Sequence, residues 1–397
     1  MPAARVRTRA PDRHDLTSAA GRTVPRSARP IRGNLVALER AADTNGPYGA
    51  NRDADRRERW KGELRALARA LGLADLGVTD AGPLPRGDYY ERWVAAGRGA
   101  SMNWLAPDTR TRPTDLLPQA RTLIAVAARY AKPEHEPQPI AAYALRDDYH
   151  LALKRAVRQL SAQLREWVPG STTRTTVDTA PLREREAAMR AGIGWIGKNT
   201  MLVHPQHGCY TLLGTILWSE ELPPDPPAVD HCADCRRCLD ACPTDAFPAP
   251  YQLDARRCLS YWTIEQREAL PAELAAAQGT RAFGCDACLA ACPFGGRTLA
   301  AESPLLPTLA PLQAMGIAAL LEAARARFWK LFRRTPVERA RRHGFLRNLL
   351  VAAGNSGDAA LLPVVAHFCD DPDPRIAGAA RDAQARLGGV NPPKEAP

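Results

Sequence analysis

The 397-residue sequence contains no run of about 18 or more apolar residues, the length that spans a membrane. A transmembrane helix is therefore not expected. The apolar core of a secretory signal peptide is also missing after the N-terminus. We therefore expect a cytoplasmic protein that does not insert into a membrane.

Acidic residues are too few to balance the basic ones, because 43 Asp and Glu stand against 54 Lys and Arg, a formal net charge of +11. This excess favours an anionic partner, with nucleic acid the leading candidate. Residues 322–347 concentrate the charge, with nine basic side chains against Glu322 and Glu338, a net of +7. A phosphate backbone suits this segment, and a solvated helix face is the alternative.

A phosphate-binding loop is missing as well. Residues 191–199 are rich in glycine and contain Lys198, but they lack the Ser or Thr after the lysine and the glycine spacing of a P-loop. Glycine at these positions lets the backbone approach a flat ligand closely, and a simple turn is the alternative.

Cysteine, in contrast, is concentrated, since eight of the ten cysteines lie between Cys232 and Cys292. Spacings of two and three residues are awkward for disulfides and suit a metal centre. A first run resembles the bacterial ferredoxin pattern, a second run lacks its first member, and one cysteine stands between the runs. The first run is Cys232, Cys235, Cys238 and Cys242, followed by Pro243; the intervening cysteine is Cys258; the second run is Cys285, Cys288 and Cys292, followed by Pro293.

The ferredoxin pattern predicts two [4Fe–4S] clusters, because three close cysteines hold one cluster and the fourth reaches the other. Cluster 1 is assigned Cys232, Cys235, Cys238 and Cys292. Cluster 2 is assigned Cys242, Cys258, Cys285 and Cys288. A pair of zinc sites is the alternative, although zinc favours paired knuckles separated by longer loops. Cys209 and Cys369 fall outside the pattern and are expected to be small buried side chains.

Four regions follow from the order of these patterns. Residues 1–55 have little apolar periodicity and are predicted to be a disordered extension. Residues 56–222 alternate predicted strands and helices, which indicates an α/β domain. The predicted strands are residues 76–79, 123–128, 172–177 and 210–218, and the continuous apolar run over 123–128 is typical of a buried strand. Residues 223–310 form a ferredoxin-like module after a proline-rich linker. Residues 311–390 are predicted to be a HEAT-like helical tail that docks on the rest, so the fold class is multidomain α+β or α/β.

An aspartate, Asp178, follows a predicted strand over residues 172–177 and precedes a predicted helix over residues 181–191. Ligands bind at strand ends in α/β folds, and an Asp there can act as a general acid or contact a cofactor. The alternative is a helix N-cap, since Asp is favoured shortly before a proline in a first turn. Two clusters transfer single electrons and do no substrate chemistry themselves, so this domain either holds another redox centre or docks partners.

At these residues the chain resembles the epoxyqueuosine reductases, which complete queuosine synthesis in tRNA. The resemblance covers roughly residues 58–388. It rests on these matching pieces: Arg110 and Pro113 with Leu116, Leu117 and Pro118; Asp148, Tyr149 and His150; residues 178–185; residues 190–195 with Lys198 and Asn199; the eight clustered cysteines; and Arg347 with Asn348.

The resemblance implies cobalamin in the N-terminal domain and reduction of an epoxide on the wobble base, with loss of water. It makes Asp178 the proton donor, which requires an apolar pocket that raises the pKa of its carboxyl. It also implies cofactor contacts near cluster 2, which we expect to pass electrons to the cobalt. The cobalamin contacts implied are Arg110, Asp178, Leu202, Leu213, Ser260, Cys285 and Asp286.

The partners implied are a tRNA anticodon stem-loop and an external electron donor, and the resemblance suggests a monomer. Arg339, Arg341, Arg342 and Arg347 are the expected tRNA contacts, since a wobble base must be splayed from its loop beside a bound backbone. Two rivals remain open. One is a reductive dehalogenase-like cobalamin enzyme, and the other is a ferredoxin-type electron-transfer subunit without catalytic activity.

Overall fold

A four-stranded antiparallel sheet organises the N-terminal part of the protein in a computed structural model that describes residues 47–105, 112–132, 138–295 and 303–389. The strands, in the order β1–β2–β6–β3, pair antiparallel throughout, with Thr122 opposite Trp218 between β2 and β6. A separate two-stranded hairpin joins β4 to β5. The strands are β1 Asp75–Asp80, β2 Thr122–Arg129, β3 Thr173–Thr176, β4 Trp195–Ile196, β5 Leu202–Val203 and β6 Thr211–Trp218.

The antiparallel pairing corrects one of the two predicted fold classes. Alternating strands and helices indicated an α/β domain, whereas the described sheet is that of an α+β protein. The connections between consecutive strands are long enough to return the chain in either direction, so alternation alone does not fix strand direction. The predicted strands themselves are present, at residues 75–80, 122–129, 173–176 and 211–218.

Helices surround this sheet and make up most of the remaining chain. In the described residues they are α1 Pro47–Ala70, α2 Gly87–Ala95, α3 Pro113–Leu116, α4 Tyr149–Trp167, α5 Glu184–Arg190, α6 Arg237–Asp240, α7 Leu259–Ile264, α8 Ala272–Gln278, α9 Ala287–Ala290, α10 Ala310–Gln313, α11 Ile317–Phe332, α12 Arg341–Ser356, α13 Leu362–Ala366 and α14 Pro374–Leu387. None of the helices in these residues is long and apolar enough to cross a membrane.

Both faces of the sheet are covered, which explains why β2 is apolar at consecutive positions. Ile124 and Val126 point toward α1 and α4, in a core that also contains Leu64 and Leu160. Leu123, Ala125 and Ala127 alternate with them and point to the opposite face, where α5 packs. Since successive strand side chains face opposite sides, a strand buried on both faces must be apolar throughout.

Helix α1 begins at Pro47, earlier than the predicted domain start at residue 56. Arg52 and Asp55 in this part of the helix are exposed polar residues, so apolar periodicity does not reveal it. Asp53 pairs with Arg56 at 2.9 Å, and the Arg56 guanidinium lies 5.2 Å from the centre of the Trp60 ring. Residues 1–46 of the predicted extension lie outside the described residues.

The C-terminal helices share one core with the two preceding regions. Phe328, Phe345 and Leu349 of α11 and α12 pack in a cluster that includes Phe283 of the cysteine-containing region and Leu145. In the described residues the C-terminal helices therefore pack against the rest of the chain. Helices α12 and α14 approach closely at Gly354, where an added Cβ would lie 2.8 Å from the Ala383 Cα.

Gly77 in β1 marks the closest contact between the sheet and α5, and it supports a stability prediction. A Cβ at this position would lie 1.9 Å from the backbone oxygen of Ala191. We expect Gly77→Ala to lower the free energy of unfolding by about 2–3 kcal/mol, because the backbone oxygen has no room to move aside. Anaerobic urea unfolding measures the change.

Gly62 in α1 provides the matched control for this substitution. No atom lies within 4 Å of a Cβ built at this position. Gly62→Ala should therefore raise the free energy of unfolding by about 0.5–1 kcal/mol, since alanine restricts the unfolded chain more than glycine does. Equal effects of the two alanines would contradict the close packing of β1 on α5.

Candidate active site

Asp178 lies in the short connection between β3 and α5, and its backbone is in the left-handed region with φ of +57°. Its N–H donates to both carboxyl oxygens of Glu184, at 3.0 and 3.1 Å. Helix α5 begins at Glu184 and its N-cap position is Arg183, so the alternative that Asp178 caps this helix is wrong. Asp178 is thus available for another role.

A chain of three side chains runs from the start of α4 to Asp178. His150 Nε2 lies 3.2 Å from Asp178 Oδ2, while His150 Nδ1 lies 2.7 Å from Asp148 Oδ1. Asp148 is the N-cap of α4, and its side chain accepts the His150 N–H, which fixes its position. The family resemblance included these residues without giving His150 a role, although an Asp-x-His pair at a helix start was a usable signal.

The charges of Asp178 and His150 differ from the prediction. The hydrogen bond from His150 lowers the pKa of Asp178 and outweighs the loss of solvation, which would raise it. Loss of solvation lowers the pKa of His150, but hydrogen bonds with Asp148 and Asp178 outweigh it and raise this pKa to about 9. The expected neutral Asp178 is therefore corrected to a carboxylate that faces an imidazolium near neutral pH.

We infer that Asp178 and Arg185 line a cavity, from their exposure and their surroundings. The Asp178 side chain is 61% exposed, and Arg185 is also exposed. Loss of solvation nevertheless lowers the pKa of the Arg185 guanidinium. The charges of Asp178, Cys209 and Cys288 act in the opposite direction and raise this pKa. Side chains that solvent reaches but that protein surrounds on most sides are typical of a pocket wall. Arg185 therefore lies between the acid and the cysteine-containing region.

Tyr143 and Arg339 approach the same cavity from other parts of the chain. Loss of solvation raises the pKa of Tyr143, and the charges of Asp286 and Asp178 raise it further. A hydrogen bond to Glu265 raises the pKa of Arg339, and the charge of Asp178 raises it further. The Asp148 N–H donates to the Arg334 oxygen at 2.7 Å. The basic segment before α12 therefore lies beside the Asp148–His150–Asp178 chain.

Two groups of neighbouring thiols occur among the clustered cysteines. Burial raises the pKa of the Cys238 thiol to about 11, and its neighbours Cys232, Cys292 and Cys235 raise it as well. Burial also raises the pKa of the Cys288 thiol, whose neighbours include Cys258, Cys285 and Cys242. Each group thus takes members from both runs of the sequence, as interleaved clusters require.

Cys209 is fully buried, as predicted, but it is more than an apolar side chain. Its hydrogen bond to Cys292 lowers the pKa of the Cys292 thiol to about 6. Asn199 Nδ2 donates to Cys209 Sγ at 3.5 Å and to the Cys288 oxygen at 3.2 Å. Lys198 Nζ donates to the Ala233 oxygen, between the first two cysteines. Hydrogen bonds from Lys198 and Asn199 therefore connect the sheet domain to both cysteine groups.

The glycines of residues 191–199 serve packing within the protein. A Cβ at Gly194 would lie 2.3 Å from the Val203 oxygen, and a Cβ at Gly192 would lie 2.7 Å from the Pro226 oxygen. The expected close approach to a flat ligand is therefore corrected at these two positions. The glycines allow β4 to pair with β5 and the linker to cross the turn after α5.

The other predicted cofactor contacts are placed as follows. Leu202 is buried, and Leu213 packs against the same apolar cluster. Ser260 donates through its N–H and hydroxyl to the Cys258 sulfur. Asp286 is 6% exposed, and its Oδ2 accepts the Ala142 N–H at 2.7 Å. Arg110 lies outside the described residues.

The predicted basic contacts divide into two sets. Arg339 and Arg341 are exposed and Arg342 is partly exposed, with Arg339 paired to Glu265 at 2.9 Å. Arg347 is 2% exposed and donates to the Trp262 oxygen at 2.7 Å. Burial lowers the pKa of Arg347 to about 10. Its prediction as a phosphate contact is therefore corrected, because its guanidinium joins α12 to the segment around α7.

Two family models match the chain. Residues 110–179 match the family described as epoxyqueuosine reductase QueG, DUF1730, and residues 231–295 match a 4Fe-4S double cluster binding domain. An epoxyqueuosine reductase of Xanthomonas campestris is 34% identical over 305 residues, which cover 74% of this chain and 86% of that protein. That of Escherichia coli is 32% identical over 322 residues, which cover 78% and 83%.

Solved structures of epoxyqueuosine reductases are similar over most of the chain. One, at 30% identity, has a TM-score of 0.75 and covers 83% of this chain and 91% of that chain. Another contains an epoxyqueuosine-modified tRNA-Tyr stem loop, with a TM-score of 0.75 at 28% identity over 84% and 91%. A third, from Bacillus subtilis, has its catalytic aspartate loop swung out of the active site, with a TM-score of 0.74 at 29% identity over 83% and 91%.

The His150 pair yields a pH prediction. Because the pKa of His150 is raised in the folded state to about 9, its stabilising contribution is complete below the ordinary imidazole value of 6.5 and is lost as pH rises through about 9. We expect the urea midpoint to fall over this window. His150→Gln should lack this part of the fall, and identical pH profiles for the two proteins would contradict the ion pair.

Proposed function

The chain belongs to the epoxyqueuosine reductase family of oxidoreductases, and we propose that it reduces epoxyqueuosine to queuosine at the wobble position of tRNA. Removal of the epoxide oxygen as water consumes two electrons and two protons. The chain must therefore bring electrons and protons to one modified base. The observation that carries the proposal is the position of Asp178, which pairs with His150 at 3.2 Å and acts on Arg185 together with the Cys209 and Cys288 thiols.

The eight clustered cysteines suit two [4Fe–4S] clusters. The matching double-cluster domain supports this, as do the two cysteine groups. In our proposal Cys232, Cys235, Cys238 and Cys292 bind one cluster, and Cys242, Cys258, Cys285 and Cys288 bind the other. The Cys288 thiol, a proposed ligand of cluster 2, acts on Arg185 together with Asp178. Cluster 2 is therefore the cluster that we propose delivers electrons to the cavity.

Cobalamin fits the cavity on the chemistry of the side chains present. In our proposal the partly buried Leu213 would offer an apolar surface to a large flat ring and Leu202 would support it from the core, while Ser260, which donates to the Cys258 sulfur, would lie beside cluster 2. In our proposal these residues, with Arg110 and Asp286, hold the cofactor. Bound cobalamin would supply a strongly reducing cobalt centre for carbon–oxygen cleavage.

The proton is held by His150 and Asp178 together. Near neutral pH the imidazolium lies 3.2 Å from the Asp178 carboxylate, so the pair stores one proton at the cavity wall. Asp178 takes this proton through Oδ2 and donates it to the oxygen that leaves the base. Solvent, which reaches the exposed Asp178 side chain, returns a proton to the pair for the second protonation. Asp148 fixes the ring of His150 and stabilises its positive charge.

Tyr143 and Arg339 border this cavity near the exposed basic segment, which suits the phosphate backbone of a tRNA loop. Arg339, Arg341 and Arg342 are the proposed contacts. The relative whose structure contains a modified tRNA stem loop supports this assignment. A cytoplasmic location, a monomeric state and an external electron donor complete the proposal.

Asp178→Ala tests the acid role. We expect kcat to fall by about 10²-fold or more, because a positioned general acid supplies acceleration of this order. Reduction of epoxyqueuosine-containing tRNA, with a strong reductant and nucleoside mass analysis, measures the rate.

Iron content and cobalamin absorption serve as controls, and both should match those of the unmodified protein. Near-normal turnover with intact cofactors would remove Asp178 from the acid role. Loss of iron would instead show that the substitution disturbed the cysteine-containing region.

Charge reversal at Arg341 and Arg342 tests the tRNA surface. We expect the double substitution to Glu to raise the Kd for the stem-loop. It should also reduce the slope of log Kd against log salt by about one for each phosphate that the variant no longer neutralises. Filter binding at several salt concentrations measures both quantities.

Arg155 and Arg158 provide a matched control, since they are exposed on α4 and their reversal changes the net charge equally. This second double variant should retain a near-normal Kd. Equal weakening by both variants would assign the effect to overall charge instead of a defined contact surface.

A further inference from the structure

Glu184 is a titratable residue that the proposed chemistry does not use, although it touches the catalytic loop directly. Its Oε1 and Oε2 lie 3.0 and 3.1 Å from the Asp178 nitrogen, which donates to both. The Thr176 hydroxyl donates to Oε1 at 3.2 Å. The carboxyl thus connects the last residue of β3, the acid loop and the first residue of α5.

The backbone of Asp178 needs such a partner. Its φ of +57° lies in the left-handed region, which residues other than glycine adopt at a cost even when they are Asp or Asn. Such a conformation persists only where neighbouring groups determine it. The Glu184 carboxyl accepts the N–H of Asp178, so it contacts the strained peptide directly.

The direction of the Asp178 side chain follows from this backbone. The left-handed turn points Oδ2 toward His150 Nε2, and an extended backbone would point it elsewhere. Loss of solvation raises the pKa of Glu184 to about 7, and the charge of Asp178 adds to this shift. A neutral side chain at this position would avoid the repulsion between Glu184 and Asp178. The presence of a carboxyl therefore indicates that its oxygen atoms make a contact that is needed.

We propose that Glu184 is a positioning residue that holds the Asp178 loop in its left-handed conformation, so that the Asp178 carboxyl meets His150. Its effect on turnover rests on the proposed function, whereas its effect on the loop does not. The group that matters is a carbonyl-type oxygen beneath the Asp178 N–H. Glutamine retains such an oxygen, and methionine fills a similar volume without one.

Glu186 supplies a matched control two residues along α5. Its carboxyl pairs with Arg183 at 2.7 Å and accepts the Arg86 N–H at 2.9 Å. Glu186→Gln therefore changes a carboxyl of the same helix that has a different set of partners. It should leave the Asp178 loop unaffected.

Hydrogen–deuterium exchange of the cluster-containing protein, read in peptides that cover residues 176–182, tests the contact without reference to activity. We expect exchange to be about tenfold faster in Glu184→Met, because this variant lacks one hydrogen bond of ordinary strength. It should be near normal in Glu184→Gln and Glu186→Gln. Exchange in Glu184→Met that equals that of the unmodified protein would overturn the proposal.

Steady-state kinetics then connect the loop to catalysis. Glu184→Met should lower kcat about tenfold or more with little change in KM for tRNA, and Glu184→Gln should restore most of the rate. A change in KM alone would overturn the positioning role. Glu184→Ala serves as a second variant without the acceptor if Glu184→Met does not fold, with the same expectations.

The two proposals fail in different ways. If Asp178→Ala retains activity, the acid role fails, yet faster exchange in Glu184→Met still supports the contact. If Asp178→Ala is inactive and the loop exchanges normally without the Glu184 carboxyl, only the positioning role fails.

Discussion

A few hydrogen bonds hold the sheet domain and the cysteine-containing region together, and the proposed chemistry depends on them. Asn199, on the turn between β4 and β5, donates to the Cys288 oxygen and the Cys209 sulfur. Lys198 donates to the backbone beside the other cysteine group. The proposed electron transfer requires short distances between centres. These two adjacent residues, together with the packing of Trp195 and Tyr210 against Leu289, hold the two parts at a fixed distance.

The acid site shows how local charge can differ from what a mechanism suggests. A proton donor is expected to be neutral, yet His150 keeps Asp178 ionised and carries the proton itself. In the proposed mechanism this arrangement makes the donor a pair of residues. The proton is then stored on the imidazolium that Asp148 holds in place.

The spacing of residues in the sequence predicted those features that depend only on residues close together in the sequence. The spacing of the two cysteine runs predicted two groups of cysteines, and the apolar run of β2 indicated a buried strand. Strand direction did not follow, because long connections permit either course. The charge of Asp178 also did not follow, since His150 is 28 residues away and meets it only after folding. Arg347 belongs to a charged run that looked exposed, and only the packing of α12 shows that it is buried.

The sharing of cysteines between the two groups has a consequence for the lifetime of the protein in air. In the proposed assignment Cys292 binds one cluster and Cys288, four residues earlier, binds the other, so one short segment would serve both. Oxidative loss of either iron centre would release this segment and loosen the remaining one. Damage should therefore progress from partial to complete without a long-lived intermediate, and repair would have to rebuild both centres together.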